Sequence, residues 1–267
     1  MRTRPENQDE ASVAAVRSLL EARRKFTTTP AFHMVGDLGL DRAHAVSEAV
    51  FETLHGDRNA SVAGYKVSLV TPRHQELLGA TEPTFGRFAS VDILPTATTV
   101  GLASMYCPLV EPELVFVLDE DLSLGASEDE VRQKARVAAG LEIPDSRFTG
   151  WRPVPGLTVS DFVADNSGTG RLIVSEESVE ISRVDLSATT CALDVDGTLA
   201  GTGVGAAVMG DPIGSLIWLS QALARRGTRL RAGCRVSSGT FMDALVAHDG
   251  LYVARFSDIG EVSVRFV

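Results

Sequence analysis

The chain has 267 residues, of which 44% are apolar and 22% charged, and its net charge is −10. That size suits one large globular domain, or a small cap joined to a larger domain, and the acidic balance argues against nucleic acid or anionic membrane as a general partner while leaving room for a local basic pocket. No apolar run approaches the roughly 20 residues that span a bilayer, the opening residues lack the apolar centre of a signal peptide, and Cys107, Cys191 and Cys234 form no CxxC pair, so a cytoplasmic soluble protein without a disulfide framework or zinc site is expected. Along the chain, Val13, Val16, Leu19 and Leu20 recur at helical spacing within residues 9–26. A second amphipathic helix is predicted over residues 41–55, with Asp41 as N-cap and Gly56 as the stop. From Val62 to about Leu122 the pattern turns strand-like, and it carries Lys66 in an otherwise apolar segment. Such a lysine either snorkels to the surface or, if buried beside carboxylates, works as an acid or base.

The segment Cys107 to Leu118 places two glutamates, Glu111 and Glu113, two residues apart in an apolar run. On a strand both point to the same face. Paired carboxylates in apolar surroundings repel and are costly to desolvate, and a hard cation such as Mg²⁺ or Mn²⁺ relieves both problems. The competing reading is a solvated edge strand, because Pro112 removes a ladder donor. Ser127 and Glu130 form a capping box that predicts a helix running to about Ala139 and stopped by Gly140. Glu142 follows on a short apolar segment, either as a third oxygen ligand returning beside Glu111 and Glu113 or as an exposed loop residue.

Val163 to Gly168 is a turn of small polar side chains, suited to Asx hydrogen bonds within its own backbone or to holding an anionic oxygen. Strands joined by hairpins are predicted over residues 171–199, a helix from Asp211-Pro212 to Gly227, and a strand at Glu261–Val267. Asp194-Val195-Asp196-Gly197-Thr198 resembles a phosphatase nucleophile loop, but too little chain follows for that fold and an Asp-Gly hairpin accounts for it. Gly201, Gly203 and Gly205 do not lead from a parallel strand into a helix, so a dinucleotide fingerprint is not supported. The five histidines show no ligand spacing.

Several segments together resemble the 2-keto-4-pentenoate hydratase and 4-oxalocrotonate decarboxylase family of the fumarylacetoacetate hydrolase superfamily. They are Gly64-Tyr65-Lys66, Glu82-Pro83-x-Phe85-Gly86, Pro108-x-Val110-Glu111-Pro112-Glu113, Leu141-Glu142-Ile143-x-Asp145-Ser146-Arg147, Val163-Ala164-Asp165-Asn166, Gly210-x-Pro212 through Trp218-Leu219, and Gly260-x-Val262-Ser263-x-Arg265-Phe266. Their order and spacing cover nearly the whole chain. The resemblance implies an α+β fold, with a mixed β-roll or β-sandwich catalytic domain over residues 81–267 and an N-terminal helical cap over residues 1–80. It implies a Mg²⁺ or Mn²⁺ ion held by Glu111, Glu113 and Glu142, with a 2-oxo acid or its dienol chelated to it. Lys66 and Thr84 would be catalytic, and Asp165, Asn166, Ser167 and Arg171 would line the substrate pocket.

The implied activity is a metal-dependent lyase acting on a 2-oxo acid or 2-hydroxy-dienoate through a dienolate, a hydratase first and a decarboxylase as the alternative. Acylpyruvate hydrolase-type cleavage and a non-catalytic partner subunit are further readings. The resemblance also implies a homo-oligomer and association with another enzyme of the same pathway. Departures fall at Thr84, where such hydratases typically carry aspartate and the decarboxylases an apolar residue, at Ser68 for a common glycine, and at Leu109 for a common basic residue. Arg171 is closer to the decarboxylases.

Overall fold

A computed structural model describes residues 5–34, 36–56, 62–151 and 156–267. The elements are α1 (Pro5–Lys25), α2 (Leu40–His55), β1 (Val62–Ser68), α3 (Pro72–Leu78), β2 (Thr84–Ala89), β3 (Ile93–Pro95), β4 (Thr98–Val100) and β5 (Leu109–Leu118). They continue with α4 (Glu128–Lys134), β6 (Ala135–Ile143), α5 (Val159–Ala164), β7 (Arg171–Glu180), β8 (Thr190–Val195), β9 (Thr198–Val204) and α6 (Ile213–Ala224). The last four strands are β10 (Arg235–Thr240), β11 (Leu245–Val246), β12 (Gly250–Phe256) and β13 (Gly260–Phe266). An eight-stranded sheet runs β2-β1-β10-β5-β6-β7-β3, with β11 added on β5, and a five-stranded sheet runs β4-β13-β12-β8-β9. Both mix parallel and antiparallel pairs, which is the α+β architecture expected. Strand β13 packs against β6 and β7. Leu114, Phe116, Leu141, Ile173, Val262 and Val264 belong to the resulting buried core. Among the described residues no helix is long and apolar enough to cross a membrane.

The main departure from the sequence reading falls after Ser127. The capping serine is there, accepting from Glu130 N at 3.3 Å, but the helix ends at Lys134 and residues 135–143 form a strand. Alanine is the strongest helix former, but helix propensity is a weak bias that tertiary pairing overrides, and Ala138, Ala139 and Leu141 are fully buried in a strand bonded along its length to β5 and β7. Strand β5 is therefore central, between β10 and β6, and not the solvated edge that Pro112 suggested. A register shift in β10 between Ser237 and Thr240 lies opposite, where Phe241 N donates to the Pro112 carbonyl at 3.1 Å.

Helix α2 is preceded by Gly39 with no side-chain cap, so Asp41 sits inside the first turn, where a carboxylate still complements the helix dipole. Helix α3 was missed within the turn-rich stretch, although its signals are present: Thr71 accepts from His74 N, Pro72 opens the helix, and Gly79 at φ 66° closes it. A boundary at residue 80 leaves β1 outside the sheet to which it is bonded. The helical region precedes Val62, and its buried residues Leu19, Val46 and Val50 pack in one cluster with Phe148, Trp151 and Phe162 from the later chain.

Candidate metal centre

Four adjacent strands bring the acidic residues and the lysine together. Alternation on β5 puts Glu111 and Glu113 on one face, and the β5–β6 register sets Glu142 directly opposite Glu111. One oxygen from each of the three carboxylates lies within 4.8 Å of the others. Glu113 and Glu142 are buried, as is Lys66 on β1. The Lys66 Nζ lies 2.7 Å from Glu142 Oε1 and 5.9 Å from the Phe162 ring centroid.

Two residues outside the expected set complete the cluster. Glu113 Oε2 accepts from Ser237 Oγ at 2.5 Å and from Gly239 N at 2.7 Å. Gly239 adopts φ 103°, and a Cβ there would stand 2.6 Å from Val70 Cγ1, so the backbone that aims this N–H requires glycine. The run Ser237-Ser238-Gly239 carries no acidic or basic group, which is why chemistry-led reading passed over it.

Burial pushes the Glu113 carboxyl well above the usual range, with repulsion from Glu142 and Glu111 adding to it. Burial also raises Glu142, against the pull of Lys66. Glu142 Oε2 is buried with no hydrogen-bond donor, an expensive state for a carboxylate. All-oxygen donors, mutual repulsion and an orphaned buried oxygen fit a hard divalent cation. With the three carboxylates ionised and Lys66 charged the cluster carries two negative charges, which a dication offsets.

A cavity of about 300 Å³ opens beside Lys66, Glu111 and Glu113. Its other walls are mostly apolar, including Leu69, Leu77, Leu109, Trp151, Leu157 and Phe162, with Arg73, His74 and Asp243 as the remaining charged or titratable side chains. Burial lowers the His74 pKa.

The expected substrate turn lies elsewhere. Asp165 accepts from Arg147 Nε at 2.6 Å, Ser146 Oγ at 2.8 Å and Arg147 N at 2.8 Å. Asn166 Oδ1 accepts from Arg87 N and its Nδ2 donates to Arg87 O, each at 2.8 Å. Ser167 Oγ donates to Phe85 O at 2.9 Å. Asp165 thus ties the turn to Ser146 and Arg147, Asn166 and Ser167 tie it to β2, where a Cβ on Gly86 would collide with the Asn166 carbonyl, and none of the three lines the carboxylate cavity. Arg171 pairs with Asp92 in a second cavity. Thr84 pairs with Ser68 and so shares the Lys66 face, but it lines a separate cavity with His44 and Trp218, and its Oγ1 is buried without a partner. His33, for which the sequence offered no partner, lies 2.6 Å from Asp161 through Nδ1. That pair also stands outside the carboxylate cavity.

Fold and site together define a class of enzyme. The structure matches 4-oxalocrotonate decarboxylase from Pseudomonas putida G7, complexed with magnesium and adipate, with a TM-score of 0.88 over all of both chains at 22% identity. It matches fumarylpyruvate hydrolase from Pseudomonas aeruginosa, in complex with Mn²⁺ and pyruvate, with a TM-score of 0.60 over 76% of this chain and 88% of that one, at 17% identity. The fold is thus that of the fumarylacetoacetate hydrolase superfamily. No family model matches the sequence. The chain is, however, 30% identical over 227 residues to the 2-keto-4-pentenoate hydratase of Burkholderia vietnamiensis, covering 84% of this chain and 85% of that protein. With its counterpart from Paraburkholderia phymatum it shares 29% identity over 264 residues, 98% of each. The chain belongs to the 2-keto-4-pentenoate hydratase family.

Proposed function

We propose that this protein is a divalent-metal-dependent lyase that hydrates a 2-hydroxy-dienoate, the enol form of a 2-oxo acid. The observation that carries the reading is the Glu111, Glu113 and Glu142 cluster, its last two members buried, with Lys66 beside it and a largely apolar cavity adjoining. A Mg²⁺ or Mn²⁺ ion held by the three carboxylates supplies the positive charge that polarises a 2-oxo group. Ser237 Oγ and Gly239 N hold Glu113 in place for that role. Lys66 Nζ holds the substrate carboxylate or passes a proton to and from the carbon chain, and its contact with Glu142 orients it. The walls formed by Leu69, Leu109, Trp151 and Phe162 seat the hydrocarbon end and keep bulk water from it. Hydration adds water across the double bond remote from the acid.

The runner-up is decarboxylation of a dicarboxylate, and Arg73 favours it as the cationic side chain of that wall which could hold a second carboxylate. Incubation with Mg²⁺ and either 2-hydroxypenta-2,4-dienoate or 2-oxohex-3-enedioate separates the two. Hydration predicts loss of dienoate absorbance with the first compound and no CO₂ from the second. Release of CO₂ from the second with the first untouched overturns it. The family resemblance also carries a cytoplasmic homo-oligomer as part of this proposal, checked by light scattering and cell fractionation.

A further inference from the structure

A second cavity, of about 290 Å³, lies among α1, α2, β2 and the segment that follows β6, and it shares no lining residue with the carboxylate cavity. Four arginines line it, Arg23, Arg87, Arg147 and Arg171, against two aspartates, Asp92 and Asp145. The carboxylates do not balance the guanidiniums. Arg147 is bonded to Asp165, and Arg171 to Asp92. Asp145 accepts from the backbone of Tyr106 and Cys107. Among the described residues the Arg87 guanidinium pairs only with the exposed Glu48, at 3.8 Å, and stacks on Phe85. Arg23 makes no ion pair among the described residues, and its Nε is buried without a hydrogen-bond partner. Burial lowers its pKa to about 10.

A guanidinium nitrogen buried without an acceptor is unfavourable unless something else fills the place. Planar forked donors lining one cavity suit an anion with several acceptor oxygens. We infer that this cavity binds a small oxyanion, a phosphate or a dicarboxylate, between Arg23 and Arg87, at a site distinct from the carboxylate cluster. Such a ligand ties α1 to the Asp145–Arg147 segment just beyond Glu142, and so braces the helical region against the strand that carries the cluster.

The test is calorimetric titration of the full chain with inorganic phosphate and, separately, with succinate, at constant ionic strength and with no divalent metal added. Saturable one-to-one binding of either is expected, the tighter of the two identifying the source. In Arg23→Met the dissociation constant should rise about tenfold or more while Mn²⁺ binding stays at the native value, which shows that the chain is folded. If Arg23→Met loses its native circular dichroism, Arg171→Met, altering a partly exposed arginine of the same lining, should weaken the same titration. Failure of the native protein to take up either anion overturns the inference, whether water or an acidic side chain of a second copy fills the cavity. Binding that neither substitution weakens overturns it as well.

Discussion

Two buried ionic clusters lie within a few residues of each other on the chain, and they differ in how their charges are satisfied. In the Arg147–Asp165 pair, every nitrogen of the guanidinium has its acceptor. The Nε and Nη2 atoms donate to Asp165, while Nη1 donates to the Asp145 and Thr169 carbonyls. Around Glu142, carboxylates crowd together, one oxygen is orphaned, and the acids are pushed toward the neutral form. The first arrangement is complete without any added group and serves the fold. The second is costly as it stands and becomes favourable when positive charge enters, which is why the proposed function is placed there.

The sharpest way to break this contrast is to remove one member of each. Glu113→Ala should lower turnover by at least about a thousandfold, because the polarising charge is lost, yet cost little metal-free stability, since relief of carboxylate repulsion offsets the loss of an acceptor for Ser237 Oγ and Gly239 N. Arg147→Met should do the reverse. It strands Asp165 in the interior and should cost about 3–5 kcal/mol in urea unfolding, with the metal affinity of the remaining folded protein kept. Should Glu113→Ala destabilise the metal-free chain as much as Arg147→Met does, the two clusters are of one kind and the contrast fails.

A smaller effect tests the scaffold around Glu113. Gly239→Ala introduces a Cβ against Val70 at a φ of 103°, so the N–H that holds Glu113 must move. Metal affinity should fall about ten- to a hundredfold, measured by Mn²⁺ titration, and an affinity equal to the native one would remove Gly239 from the account.

The smallest expected effect concerns pH. Burial, with help from Arg226 and Arg87, lowers His44 to about 4, whereas an unfolded histidine titrates near 6.5. As pH falls from about 6.5 to about 4 the unfolded chain takes up the proton first, so stability present above that window is lost across it. For this half-buried side chain, solvent screening leaves a loss of about 1 kcal/mol. His44→Gln should flatten that part of the stability curve, and an unchanged curve would contradict it.

Much of the carboxylate cluster was legible because strand alternation alone puts Glu111 and Glu113 on one face. Glu142 was harder to place. Its neighbours Ala138, Ala139 and Gly140 read as the end of a helix, and only pairing with β5 and β7, which local propensity cannot reveal, turns them into a central strand. The Asp165-Asn166-Ser167 turn carried the right chemistry for a substrate pocket but is engaged by Arg147, Arg87 and Phe85. Arg87 and Phe85 lie about eighty residues earlier, a distance that no local pattern spans. Ser237 and Gly239 gave no chemical signal of their own, and their role appears only once β10 lies beside β5.

The account stands on one ion held by three carboxylates, and Mn²⁺ titration of the native chain against Glu142→Gln tests that most directly. One tightly bound ion per chain in the native protein, lost in the variant while the fold is retained, is the predicted result. Native protein that binds no ion, or a variant that binds it as tightly as the native chain, would contradict it.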